Sequence, residues 1–233
     1  MHLLLLSNST APGRGYLEHA QDVLAATLDG VRELVFVPFA LKDHDAYTAK
    51  VAAALEPLGV AVRGAHDGDP TALVRDAEAV FVGGGNTFRL ADALQTRGLL
   101  EPIRAAVAAG TPYIGSSAGT NVACPSLRTT NDMPIVQPRS FGTLGLVPFQ
   151  INPHYLDPDP ASTHQGETRE VRLLEFLEEN PGPVLAMREG TWLRRTGDRV
   201  LLDGEPAGAR LFARGRDPQE LATGTDLSHL LTA

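Results

Sequence analysis

The sequence predicts an α/β protein of three layers, a mostly parallel sheet with helices on both faces, followed by antiparallel hairpins near the C-terminus. Short apolar runs alternate with segments of helical period, the order expected when parallel strands are joined by crossover helices. Hydrophobic residues are 43% and charged residues 21% of the chain, an ordinary globular balance. The length of 233 residues suits one large domain over residues 1–233, and no linker or internal repeat divides it.

Residues 2–7 open with the four leucines Leu3, Leu4, Leu5 and Leu6. This run is too short for a membrane span or a signal-peptide core and has no basic segment before it, so it reads as a first, buried strand. Residues 16–28 set Leu17, Ala20, Val23, Leu24 and Leu28 on one helical face. Residues 33–39 form a second strand, 43–58 a helix stopped by Gly59, 60–63 a short strand and 70–76 a short helix. A fourth strand, 79–82, runs into Gly83-Gly84-Gly85-Asn86-Thr87, where glycines permit positive φ or close approach of a ligand. Helices follow at 88–95 and 99–109, then a strand at 111–115.

Residues 124–145 are polar, punctuated by Pro and Gly, and without period, and loops of that length usually carry function. Residues 146–152 return as a strand, 167–179 form an amphipathic helix with Val171, Leu174 and Leu177, and 184–187 are a further strand. Residues 191–213 alternate apolar runs with Gly-Asp, Asp-Gly and Ala-Gly turns, which predicts hairpins.

The formal charge of -8, with no run of Lys or Arg, excludes the electrostatic footprint of a nucleic-acid binder. The single cysteine, Cys124, rules out an intramolecular disulfide and a cysteine-based zinc site, and points to the cytoplasm. No metal, other cofactor or membrane partner is expected.

Chemistry centres on Gly115-Ser116-Ser117-Ala118-Gly119, at the end of a strand and the start of a helix. Glycines two residues to either side of Ser117 are the pattern of a nucleophile elbow, a turn sharp enough to exclude side chains at its flanks. Ser116 is the rival, but its flanking positions hold Ile114 and Ala118. A serine hydroxyl needs a base, and the base needs an orienting carboxylate. Of seven histidines, His154 follows a strand, at the edge of α/β sheets where ligands bind. His164 is the second choice. His2, His19, His44, His66 and His229 lie where packing or solvation explains them. Asp132, Glu189 and Asp157 compete to orient His154. Residue order does not decide, although the place of Glu189 directly after a strand favours it. Oxyanion donors would be the Ala118 amide and that of Gly84 or Gly85. The triple glycine lacks the Lys-Ser/Thr of a P-loop and the spacing of a dinucleotide loop.

Five segments together, Val82-Gly83-Gly84-Gly85-Asn86-Thr87-Phe88, Gly115-Ser116-Ser117-Ala118-Gly119, Arg128-Thr129-Thr130-Asn131-Asp132-Met133-Pro134, Gln150-Ile151-Asn152-Pro153-His154 and Gly166-Glu167-Thr168-Arg169, resemble the peptidase E family of cytoplasmic α-aspartyl dipeptidases. The likeness runs from near the N-terminus to about Trp192. It implies a fold similar to the class I glutamine amidotransferases, with serine in place of their cysteine, and hydrolysis of Asp-X dipeptides. Ser117 would be the nucleophile and His154 the base, with Asp132 or Glu189 behind it. Ser116 departs from the bulky aromatic of some members, which implies a roomier site. A guanidinium holds a desolvated carboxylate best, so Arg169 is the first candidate to recognise the aspartate side chain and Arg128 the alternative. The substrate amine would be met by Asn86, Asn131, Asp132 or Glu167. The partner is then a small peptide, and a homodimer stays open. The rival functions are a cyanophycinase-like hydrolase of β-aspartyl-arginine and a non-catalytic α/β ligand-binding domain.

Overall fold

The computed structural model describes every residue except Pro12, Ser162, His164 and Ala233, so His164 lies outside the described residues. The four leucines of β1 (His2–Leu6) explain its central place. Side chains alternate across a strand, and here Leu3 and Leu5 enter one core while Leu4 and Leu6 enter the other. A strand apolar on both faces must be covered on both.

Beside β1 lie β2 (Glu33–Val37), β3 (Ala61–Gly64), β4 (Val80–Val82) and β5 (Tyr113–Ser116), all parallel. The hairpin of β8 (Thr191–Thr196) and β9 (Arg199–Gly204) adds antiparallel to the other edge of β1, giving the order β3-β2-β4-β5-β1-β8-β9. Helices α1 (Gln21–Thr27) and α2 (His44–Leu55) cover one face, where Leu24, Val51 and Leu55 meet Leu4, Phe36 and Ile114. Helices α3 (Pro70–Arg75), α4 (Thr87–Thr96) and α5 (Leu100–Ala109) cover the other, where Val74, Leu90 and Ile103 meet Leu5, Val37 and Val82.

The sequence anticipates one sheet, and the chain builds two. Strands β6 (Gln150–Asn152), β7 (Val184–Met187), β10 (Ala209–Phe212) and β11 (Gln219–Leu221) form a second sheet in the order β11-β10-β7-β6. Ile151, Leu185 and Met187 share a core with β1, while Val184, Ala186 and Phe212 face Leu173 and Leu177 of α7 (Arg169–Glu179). Alternation along β7 thus fills two cores, which a pattern read along the chain does not separate into two sheets. The expected hairpins divide in the same way, β8 and β9 extending the main sheet and β10 joining the second.

Element ends differ where proline or a tighter turn intervenes. β6 starts at Gln150 rather than residue 146, beyond Pro148, which cannot donate to a ladder. The helix expected from residue 16 begins as a 3₁₀ turn, Glu18–Ala20, before α1. No helix among the described residues is long and apolar enough to cross a membrane.

This topology gathers one edge of the molecule. Leu6 of β1 pairs with Ser116 of β5 and, because β8 is antiparallel, with Trp192 near the start of β8. Residues just after β1, just after β5 and just before β8 therefore meet. The parallel pair β6 and β7 delivers the residues after Asn152 and Met187 to the same edge.

Candidate active site

Ser117 links β5 to the one-turn helix α6 (Ala118–Asn121) with φ 54° and ψ -107°, a backbone state that non-glycine residues rarely hold. Close packing enforces it. A Cβ on Gly119 would lie 2.0 Å from the Val82 carbonyl oxygen, and one on Gly115 would lie 2.7 Å from that of Gly119. The Thr120 hydroxyl donates to the carbonyls of Leu6 and Gly115 at 2.6 and 2.9 Å and ties the turn to both strands. Ser116 is fully buried, its hydroxyl has no partner among the described residues, and it lines neither cavity beside Ser117. Burial thus keeps Ser116 from the place of the nucleophile among the described residues.

His154 follows β6 and also has φ 54°. Its Nε2 lies 2.9 Å from Ser117 Oγ and its Nδ1 lies 2.6 Å from Glu189 Oε1. A carboxylate only accepts, so Nδ1 carries the proton toward Glu189 and Nε2 accepts from the serine hydroxyl. Ser117, His154 and Glu189 thus form one continuous hydrogen-bonded chain. The His154 and Glu189 side chains are 37% and 42% exposed, so the chain is open to an incoming ligand.

Asp132 is occupied elsewhere. Its Oδ2 accepts from the Thr87 amide at 2.7 Å, the Thr87 hydroxyl at 2.6 Å and the Thr130 hydroxyl at 3.1 Å. It has no hydrogen bond to His154 among the described residues, and its Oδ1 has no donor there. Asp157 pairs with Arg188 through two hydrogen bonds, which hold its carboxyl below the usual range.

A cavity of about 370 Å³ at Ser117 is lined by His154, Glu189, Asp132, Asn131, Thr87 and Arg169 among others. Arg169 starts α7 behind the N-cap Thr168, whose hydroxyl accepts the Val171 amide at 3.2 Å. Its guanidinium has no hydrogen-bond or ion-pair partner among the described residues. Burial lowers its pKa, with the neighbouring charge of Arg172 adding to the effect and that of Asp132 opposing it. Arg128 instead lies over the Phe141 ring, 5.0 Å from its centroid, and lines a different cavity. Asn131 is braced, donating to the Pro153 carbonyl at 2.8 Å and accepting from Asn152 at 2.8 Å. Asn86 caps α4 by accepting the Arg89 amide and gives its own amide to the Met133 carbonyl. Glu167 is exposed, pairs with Arg172 at 3.6 Å and lines neither cavity at Ser117.

Of the candidate oxyanion donors, the Gly84 amide faces the Tyr47 hydroxyl, whose pKa burial raises while the Tyr16 hydroxyl and this amide oppose the rise. The amides of Ala118 and Gly85 have no acceptor among the described residues. Gly85 has φ 133°, open to glycine alone, and a Cβ there would meet the Ala40 carbonyl at 2.8 Å.

A family model of peptidase family S51 matches residues 3–202. The chain belongs to peptidase family S51. It is 66% identical over 232 residues to Peptidase E of Streptomyces coelicolor, covering 99% of this chain and 95% of that one. It is 51% identical over 234 residues to the "Probable alpha-aspartyl dipeptidase" of Drosophila melanogaster, covering 99% and 97% of the two chains. The crystal structure of a peptidase from an acI-B1 Actinobacterium superposes with a TM-score of 0.70 at 18% identity, covering 97% of this chain and 96% of that one, a likeness of fold.

Two supports of this S51 site escaped the sequence reading. Ser7 and Asn8 directly follow β1, and the Asn8 side chain accepts the Gly190 amide at 2.8 Å, bracing the turn that carries Glu189. Their signal was position: polar residues at the end of a buried parallel strand stand where such sheets place ligands. A grouping with metal-ligand spacing, Asp45, His66 and Asp67, lines neither cavity at Ser117.

Proposed function

We propose that this S51 peptidase is a serine dipeptidase that hydrolyses Asp-X dipeptides, acting as one domain over residues 1–233 in the cytoplasm, with a homodimer as the assembly to test. The observation that carries the reading is the pairing of charges beside Ser117: Arg169 and one Asp132 carboxylate oxygen, neither with a partner among the described residues. An N-terminal aspartate presents a carboxylate and an ammonium on neighbouring carbons, and the name of the Drosophila melanogaster relative, "Probable alpha-aspartyl dipeptidase", agrees with that substrate.

Ser117 Oγ attacks the carbonyl carbon of the aspartyl residue while His154 Nε2 takes its proton. Glu189 holds the resulting imidazolium through Nδ1. Negative charge on the carbonyl oxygen is met by the amides of Ala118 and Gly85. The tetrahedral adduct collapses, His154 passes the proton to the leaving amine, and an aspartyl ester remains on Ser117. Water then attacks that ester and gives a proton to His154, which returns it to Ser117 Oγ as aspartate leaves. Arg169 binds the substrate side-chain carboxylate and Asp132 the ammonium, whereas Asn86, Glu167 and Arg128 are engaged elsewhere.

The test compares Asp-Leu, Asn-Leu and β-Asp-Arg on the wild type and on Arg169→Met. Asp-Leu is expected to be the best substrate, and loss of the charge-assisted contact is expected to lower its kcat/KM about 100-fold. Inertness to Asp-Leu sinks the proposal, and turnover of β-Asp-Arg alone favours the cyanophycinase-like reading. Full activity of Ser117→Ala would discard Ser117 as the nucleophile, and turnover of none of the three substrates would favour the non-catalytic class.

A further inference from the structure

Ser117 borders a second cavity, of about 600 Å³, which opens toward α2. The two cavities share Ser117, His154 and Asp132. The second is walled by Tyr16, Leu41, Tyr47 and Lys50, with Gly84 and Gly85 at its inner end. Lys50 is the one lysine or arginine in that lining. Its ammonium sits 4.4 Å from the centroid of the Tyr16 ring, and no carboxylate among the described residues is within ion-pair distance of it. Asp43, in the same lining, turns its carboxylate into the N-cap of α2, accepting the Ala46 amide at 3.0 Å. The wall behind Lys50 is firm. The Tyr16 and Tyr47 hydroxyls lie 3.3 Å apart, Tyr47 stands edge-on to Phe36, and a Cβ on Gly83 would meet the Tyr47 hydroxyl at 2.7 Å.

A dipeptide has two halves about its scissile bond, and the leaving half ends in a free carboxylate. With the aspartyl half beside Arg169, the leaving half falls on the other flank of Ser117. We infer that the second cavity receives the leaving residue and that Lys50 binds its C-terminal carboxylate. The inference rests on the Asp-X reading above. A point charge on a flexible four-carbon stem reaches carboxylates of leaving residues that differ in side chain. The apolar wall of Leu41 and Tyr16 meets those side chains without selecting one.

The experiment measures kcat and KM on Asp-Leu and on Asp-Leu amide, which lacks the terminal charge, for wild type, Lys50→Met and Lys50→Arg. Wild type is expected to prefer Asp-Leu, and Lys50→Met to lose about tenfold more on Asp-Leu than on the amide, through KM. Lys50→Arg is expected to recover most of that difference. Equal effects of Lys50→Met on both substrates, or none on either, overturn the role of Lys50 and leave the Asp-X reading standing. A wild type inert to both substrates overturns the Asp-X reading and this inference with it.

Discussion

The Ser7 hydroxyl accepts the backbone N–H of His154 at 2.9 Å and donates to the Met187 carbonyl at 2.9 Å. One buried side chain at the end of β1 thereby joins the main sheet to both parallel strands of the second. It also holds His154 in a positive-φ backbone state, which costs about 1–3 kcal/mol wherever the surroundings do not enforce it. Ser7→Ala strands the His154 N–H, while the Met187 carbonyl keeps the Tyr155 N–H at 2.9 Å, and the change should destabilise the fold by about 1–3 kcal/mol. With His154 loosened from Ser117, kcat on Asp-Leu should fall several-fold with KM little changed. Urea melts and steady-state kinetics check both, and an unaltered kcat would refute the positioning role.

Glu189 and Asp132 are separable by kinetics because their contacts differ. Glu189→Gln keeps the shape of the side chain but offers His154 Nδ1 an amide, which favours the wrong tautomer. A loss of about 10²–10⁴ in kcat is expected, by analogy with the buried aspartate of other serine peptidases. Asp132→Asn should act mainly on KM, through the substrate ammonium, and should weaken the capping contacts to Thr87. Assays of the two variants side by side decide, and a Glu189→Gln enzyme as active as the parent would discard the relay.

The parts of this molecule legible in the sequence are those set by local pattern. Four successive leucines announced a strand buried on both faces, and the Gly-x-Ser-x-Gly turn announced a residue that packing would force into strain. His154 was legible because it follows a strand. The second sheet was not, because β6 and β7 read like any other buried strands and their partners are chosen by register with β10 and by β8 already occupying the edge of β1. The separate duties of Glu189 and Asp132 were only partly legible: position after a strand favoured Glu189 without excluding Asp132. Which carboxylate meets His154 depends on β8 being antiparallel, which puts its first residues beside the last residue of β1. Asn86 looked available for a substrate amine, yet the cap of α4 and the Met133 carbonyl had already claimed the two ends of its amide.

Contact distances around the elbow set an expectation for stability. Gly119→Ala drives a methyl group into the Val82 carbonyl, a backbone atom that cannot rotate away. Overpacking of this kind usually costs about 1–3 kcal/mol and more where backbone must shift, so the variant should be strongly destabilised or insoluble. Gly68→Ala is the control, since its added carbon would meet only Leu73 Cδ1 at an ordinary 3.7 Å. A Gly119→Ala protein with the melting temperature of Gly68→Ala would mean that the tight turn is not what holds Ser117 in place.

Cys124 lies seven residues after Ser117, just past α6, fully buried, and its sulfur accepts the Ile151 amide at 3.1 Å. Burial pushes the thiol from an ordinary 9.0 up to about 12. A thiol kept protonated is a poor nucleophile, so iodoacetamide at neutral pH should neither label nor inhibit the native protein, and should label it once denatured. The sign of the pH dependence follows from the same shift. The unfolded thiol releases its proton near 9 while the folded one holds it to about 12, so its contribution is complete below 9 and is lost as pH rises between those values. Tyr113, also fully buried and raised above its ordinary value, acts in the same direction. Cys124→Ala should therefore flatten the fall of melting temperature in alkaline buffer. Rapid labelling of the native thiol would show that the space between α6 and β6 is open to solvent and would overturn both expectations.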